Sequence, residues 1–143
     1  MIYTDLTKKA MKAAVYVLED KYDKGGMPCI IHTMHVAEQM DDEDSICAAL
    51  LHEVIKENGI TLQGLLSEGF SERTVIALKL LTKRNDVPYD EYIRRIKKNR
   101  IARKVKIADL SHDCDLDRLH VINEDVIKTF NKNQETLRYL LSR

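Results

Sequence analysis

SICAALLHEVIKEN, residues 45–58, is the stretch on which the reading of this chain turns. Its apolar residues give a helix with a strongly apolar face. Yet His52 and Glu53 stand side by side at the end of the apolar run, and Lys56 and Glu57 follow at once. Leu would pack better there than an imidazole and a carboxylate. Either these are ordinary polar residues emerging at the edge of a core, or they bind something.

Outward from this helix, helical periodicity dominates. DDED, residues 41–44, is a polar junction whose acids favour a helix N-terminus, and Gly59 ends the helix of residues 43–57. Upstream, Leu6, Ala10, Ala13, Ala14, Val17 and Leu18 recur at three- and four-residue intervals and mark a first amphipathic helix. YDKGGMP (22–28) breaks it, and a second helix covers residues 31–40. Downstream, Thr61 caps a short helix through Leu66 and Ser71 precedes another, with Val75, Leu78, Leu80 and Leu81 inward. Helices over 89–98, 100–111 and 125–141 complete the chain, the last with Val126, Phe130, Leu137 and Leu141 facing inward. HDCDLDRLHVINE (112–124) is expected to be partly irregular. No alternating strands, internal repeat or low-complexity linker interrupts the pattern. The expected architecture is a compact all-α domain of seven or eight helices spanning residues 1–143.

The composition bounds the function. With 143 residues the chain suits one domain and one sizeable core. Lys plus Arg and Asp plus Glu each total 23, so no global field draws it to nucleic acid or to a membrane surface. Three cysteines without a CxxC pair fit a reducing compartment, and Cys47 reads as a small core residue. No stretch has the length of a membrane span or the form of a signal peptide. A cytoplasmic location is expected; nothing in the pattern selects an oligomeric state.

Residues of metal-ligand type recur at the ends of the apolar helices. His32 follows the Gly-rich turn, His52 and Glu53 end the central helix, and Asp109 follows the apolar VKIA. Two histidines and two carboxylates suit a divalent transition ion, which makes hydroxide available near neutral pH. Taken singly, each is more often a cap or a satisfied polar residue than a ligand. HTMH (32–35) places His32 and His35 on one helical face, where His35 reads as packed or exposed. RRIKKNRIARKVK (94–106) is the most basic stretch. It reads as an amphipathic helix pair with a solvated basic face, or as a phosphate-facing patch through Lys104 or Lys106. KGG at 24–26 is not a P-loop, and Cys114 between two acids is no activated nucleophile.

DKGGMPCIIH (23–32), AALLHEVIKEN (48–58), LLTK (80–83) and VKIADLSHDCDLDRL (105–119) together resemble the HD-domain metal phosphohydrolases. The likeness is greatest to the (p)ppGpp hydrolase branch, found in RelA/SpoT proteins and their small stand-alone relatives. The resemblance implies an all-α fold, one Mn²⁺ or similar divalent ion and a small phosphorylated nucleotide as substrate; a nucleic-acid partner is not expected, since one basic run in a neutral chain lacks a docking motif. It places the metal ligands on His32, His52, Glu53 and Asp109. It gives Glu57 and Lys56 catalytic positions and Lys24 and Asp113 positions facing substrate. With the family's substrate, the products are pyrophosphate and GDP or GTP.

The chain departs from the family at the site itself. Glu53 stands where the family has Asp, which moves the carboxylate outward by one methylene. Lys56 and Glu57 replace a Glu-Asp pair, so a cation stands where the family has an anion. Asp23-Lys24 replaces an Arg-Lys pair, Cys29 a frequent Tyr, and Asp113 an Asn. These changes leave two further readings: a catalytically impaired nucleotide-binding or regulatory HD module, or a nucleotidase of different substrate choice. The position of Lys56 discriminates between them. An ion pair with Glu53 or Glu57 ties up the acid and weakens catalysis.

Overall fold

Ile46, Ala48, Ala49, Leu50, Leu51 and Val54 are all essentially inaccessible to solvent, so the helix that carries them is covered on every side. A helix this apolar needs neighbours around its whole circumference. The computed structural model supplies them. It describes residues 1–23, 25–58, 60–113 and 122–143, the side chains of Glu57 and Asn58 excepted. Eight helices run through the described residues: α1 Asp5–Leu18, α2 Cys29–Glu38, α3 Glu43–Asn58, α4 Leu62–Ser67, α5 Glu72–Leu81, α6 Tyr89–Lys97, α7 Arg100–Asp113 and α8 Glu124–Leu141. Helix α3 is the axis, packed by α1, α2, α5 and α7, while α6 and α8 close over α7. The expected all-α architecture is what the chain adopts.

Local chemistry sets the ends of these helices. Thr4 and Thr7 form a reciprocal capping box at α1, each backbone N–H donating to the other's hydroxyl at 2.7 and 3.1 Å. Asp42 accepts from the Ser45 backbone N–H at 2.8 Å and starts α3. Asp44, in the first turn of α3, accepts from the Ser71 hydroxyl at 2.7 Å, and Ser71 in turn caps α5. One acid therefore ties the central helix to the start of another. Arg103 of α7 donates to the carbonyls of Leu140 and Ser142 at 2.7 and 3.1 Å, satisfying the C-terminal end of α8.

Several boundaries differ from expectation. Helix α2 begins at Cys29, because Pro28 stands at its N-cap with a φ already suited to helix entry. Helix α7 runs on to Asp113. In α8 the inward positions are Thr136 and Leu140, whereas Leu141 is 60% exposed. Val126, Phe130 and Leu137 are partly buried as expected, and the inward face ends at Leu140, a step of about 100° from Leu141. In the turn before α2, Asp23 accepts from the backbone N–H groups of Gly25 and Met27, both at 2.9 Å, and Gly26 takes φ 81°. The acid at 23 therefore builds the turn, a role that an Arg cannot perform. Residues 114–121, with Cys114, lie outside the described part of the chain.

Candidate metal centre

Three helices deliver four expected ligands to one place. Helix α2 carries His32 in its first turn, α3 carries His52 and Glu53 near its end, and α7 carries Asp109. His32 Nε2 lies 2.7 Å from Asp109 Oδ1, although 77 residues separate them. His52 Nε2 lies 3.3 Å from Glu53 Oε1 and 3.8 Å from Asp109 Oδ1. His52 and Asp109 are buried, at 6% and 7% exposure.

Each side chain is held from behind. His52 Nδ1–H donates to the Ala49 carbonyl at 2.6 Å, so Nε2 is the nitrogen turned toward the carboxylates. That Nε2 is buried and makes no well-aligned hydrogen bond. Asp109 divides its oxygens: Oδ1 faces the two histidines, and Oδ2 accepts from Lys106 Nζ at 3.2 Å. Lys106 is itself largely buried, and its ammonium lies 5.7 Å from the centre of the Tyr92 ring. The Tyr92 hydroxyl donates to the Leu81 carbonyl at 2.8 Å.

Electrostatics follow from this crowding. Burial works to keep His52 neutral, but the carboxylates of Asp109 and Glu53 outweigh it and push its pKa up to about 9. The His52 N–H beside Glu53 draws that carboxyl down to about 2, against burial and with help from Lys56. Burial also works against ionised Asp109; His32, His52 and Lys106 overcome it and hold the group well below the usual carboxylate range. Lys106 is held above the usual lysine range, because Asp109 and Tyr92 outweigh its desolvation.

Such a cluster can take a cation in place of the proton on His52. Two groups of three donors have the needed proximity, one ligand atom from each residue lying within 4.8 Å of the others. His52, Glu53 and Asp109 make one group; His32, Asp109 and Asp113 make the second. Imidazole and carboxylate donors of this kind fit a divalent ion such as Mn²⁺. The buried, poorly satisfied Nε2 of His52 fits the same occupant.

The remaining expected residues divide. Lys56 Nζ lies 3.5 Å from Glu53 Oε1, a long pair with Lys56 46% exposed. Asp113 Oδ1 lies 3.8 Å from His32 Nδ1. Lys24 and the side chain of Glu57 lie outside the described residues. Lys104 pairs with the exposed Asp41. Lys106, expected on a solvated or phosphate-facing basic face, pairs instead with Asp109, and its spacing of three from that acid was the available signal. One neighbour escaped the sequence reading. His112 stacks between His32 and His35, with ring centres 4.7 and 4.3 Å away, and its Nδ1 meets Nδ1 of His32. Beyond this stack lies a cleft of about 410 Å³ between α2 and α7, lined in part by His35, Met40, Lys104 and Ile107.

No family model matches the chain, and no curated protein matches it in sequence. Among solved structures, its fold is similar to that of a metazoan SpoT ortholog described as hydrolysing ppGpp and playing a role in starvation responses. The TM-score is 0.77 at 16% sequence identity, over 99% of this chain and 88% of that one. The likeness is one of fold, and the described residues of this chain are all-α in architecture. Among the described residues, no helix is long and apolar enough to cross a membrane.

Proposed function

We propose that this chain is a metal-dependent phosphohydrolase acting on a small phosphorylated nucleotide, with the 3′-pyrophosphate of (p)ppGpp as the first substrate to test. The observation that carries the reading is the buried convergence of His32, His52, Glu53 and Asp109, with His52 Nε2 aimed into it and poorly satisfied. Stability alone does not favour such a cluster, since apolar residues fill buried space at lower cost. When bound, a divalent ion supplies a Lewis acid and brings the pKa of its water toward neutrality.

The chain's own residues then have distinct tasks. The Ala49 carbonyl fixes the His52 ring, and Lys106 fixes Asp109, so ligand atoms need little reorganisation. Glu57, one turn beyond Glu53 on α3, orients the attacking water or takes its proton. Lys24 and Lys56 neutralise phosphate charge in the transition state. The adjoining cleft has the volume of a small-molecule site. The fold shared with a ppGpp hydrolase supports the substrate class.

One contact favours a second reading, a module that binds nucleotide without turning it over. Lys56 stands beside Glu53 at 3.5 Å and competes with an ion for the same oxygen. At nearly half exposure this pair is weak and exchangeable, so the hydrolase reading stands first. The test is elemental analysis of purified and Mn²⁺-loaded protein, repeated on His52→Ala, with (p)ppGpp turnover measured alongside. Near-stoichiometric metal that the variant loses, together with turnover, supports the hydrolase. Metal without turnover selects the binding module or another phosphorylated substrate. No metal after loading removes the mechanism.

A further inference from the structure

Of the basic stretch 94–106, the proposed metal centre uses only Lys106. The fold gathers much of the remainder around a second hollow. Where α6 ends and α7 begins, Lys97, Lys98, Arg100, Arg103, Lys104 and Ile107 line a cleft of about 430 Å³. That volume suits a small molecule. We propose that this cleft binds a compact polyphosphate, through phosphates linked to one another as in pyrophosphate or in the tail of a nucleotide. None of the lining residues is a candidate metal ligand, so the two sites stand or fall separately.

Five cations around one cleft are a strong local charge in a chain whose net charge is zero. No carboxylate side chain among the described residues lines it. Two of the cations are held by neutral groups. Arg103 donates to the carbonyls of Leu140 and Ser142 at 2.7 and 3.1 Å. Lys97 donates to the Ser142 hydroxyl at 2.7 Å, and its ammonium lies 4.3 Å from the centre of the Tyr139 ring. These contacts place both side chains without cancelling their charge. Lys98 stands exposed at the C-cap of α6. Arg100 and Lys104 meet Asp42 and Asp41, but both pairs reach solvent and exchange readily. The helix dipoles account for only half of the cluster. Cations suit the end of α6, whereas Arg100 and Arg103 stand at the start of α7, where a cation is disfavoured.

The class of ligand follows from charge and shape. Lysine and arginine donors on several sides favour an anion with many oxygens, each accepting a charge-assisted hydrogen bond. Linked phosphates bring more charge into the same volume than a single phosphate does. Asp41 and Asp42 pair with cations of the cleft itself and so stand at its rim. They oppose an extended polyanion such as a nucleic-acid strand, which has to pass over them, and leave a compact one unhindered. Lys104 and Ile107 also line the cleft beside His35 and His112, so the two hollows share a wall on α7.

The test uses the full chain in a chelating buffer, so that phosphate cannot be held through a bound ion. Inorganic pyrophosphate is titrated by calorimetry and by the amide chemical shifts of isotope-labelled protein. Inorganic phosphate, a nucleoside triphosphate and a single-stranded oligonucleotide are titrated alongside. Pyrophosphate is expected to shift amides of residues 97–107 and to bind about tenfold more tightly than phosphate, with an affinity that falls as salt is added. Lys97→Ala/Lys98→Ala is expected to lose about tenfold in affinity, and Lys98→Ala alone, at an exposed position, part of that. A nucleoside triphosphate that binds more tightly than pyrophosphate upholds the site and names a nucleotide tail as its occupant; one that binds no more tightly upholds it for free polyphosphate. Pyrophosphate binding no tighter than phosphate, shifts centred on His32, His52 and Asp109, or unaltered affinity in both variants overturns the inference. So does an oligonucleotide that outbinds pyrophosphate on the same residues.

Discussion

Lys104 and Lys106 stand two residues apart on α7, and each meets an aspartate. Lys104 reaches Asp41 at the surface, where the acid is 77% exposed. Lys106 reaches Asp109 in the interior, where the two side chains are 16% and 10% exposed. The chemistry is the same and the surroundings are opposite. Water screens the first pair and competes for both partners, so it adds little. The second pair has given up its water, and each partner depends on the other. Two residues along a helix thus separate an ornament of the surface from the frame of the proposed site.

Asp109→Ala tests this contrast most severely. It leaves Lys106, His52 and His32 crowded together without their shared counter-charge. Metal-free protein is expected to lose about 3–5 kcal/mol of stability in urea unfolding, along with its affinity for Mn²⁺. A loss no larger than that of a surface substitution breaks the comparison. Lys106→Met comes next, at roughly 2 kcal/mol, because the histidines still face Asp109. Weakened Mn²⁺ binding in that variant, with a retained helical spectrum, separates a positioning role from simple stability.

A smaller effect is expected from pH. The folded pKa of His52 is raised to about 9 from an ordinary 6.5. Its contribution to metal-free stability is therefore complete below about pH 6.5. It is lost as pH rises through about 9, because the unfolded chain releases that proton first. Mn²⁺ affinity should move the other way and rise across the same window, since ion and proton compete for Nε2. Urea midpoints and Mn²⁺ titrations at several pH values check both directions. Smallest of all is Lys104→Ala, expected to leave the urea midpoint and Mn²⁺ affinity unchanged. A clear shift in either would give the surface pair a weight that its exposure denies it.

The sequence shows its helices because their apolar residues repeat with the period of a helix, as in α1 and α3. It marks His32, His52, Glu53 and Asp109 as candidates because ligand-type residues stand there at the ends of apolar runs. Other features depend on partners distant in the chain. Nothing local tells whether Asp23 faces a substrate or folds back onto Gly25 and Met27. Lys106 has its acid three residues on along α7, whereas nothing local joins Lys104 to Asp41. The stack of His112 between His32 and His35 joins α2 to α7 and has no signature in either helix alone. Leu140 and Leu141 are adjacent residues of one type, and only the packed register of α8 chooses between them.

The 77 residues between His32 and Asp109 also set an order in time. A helix closes on itself in about a microsecond or less, whereas a contact across so long a loop must wait for the chain to collapse and dock. Helices α2, α3 and α7 therefore exist as secondary structure before the place where they meet exists. The ligand cluster forms only after the helices that build it have docked, and an ion that needs all three helices binds after that.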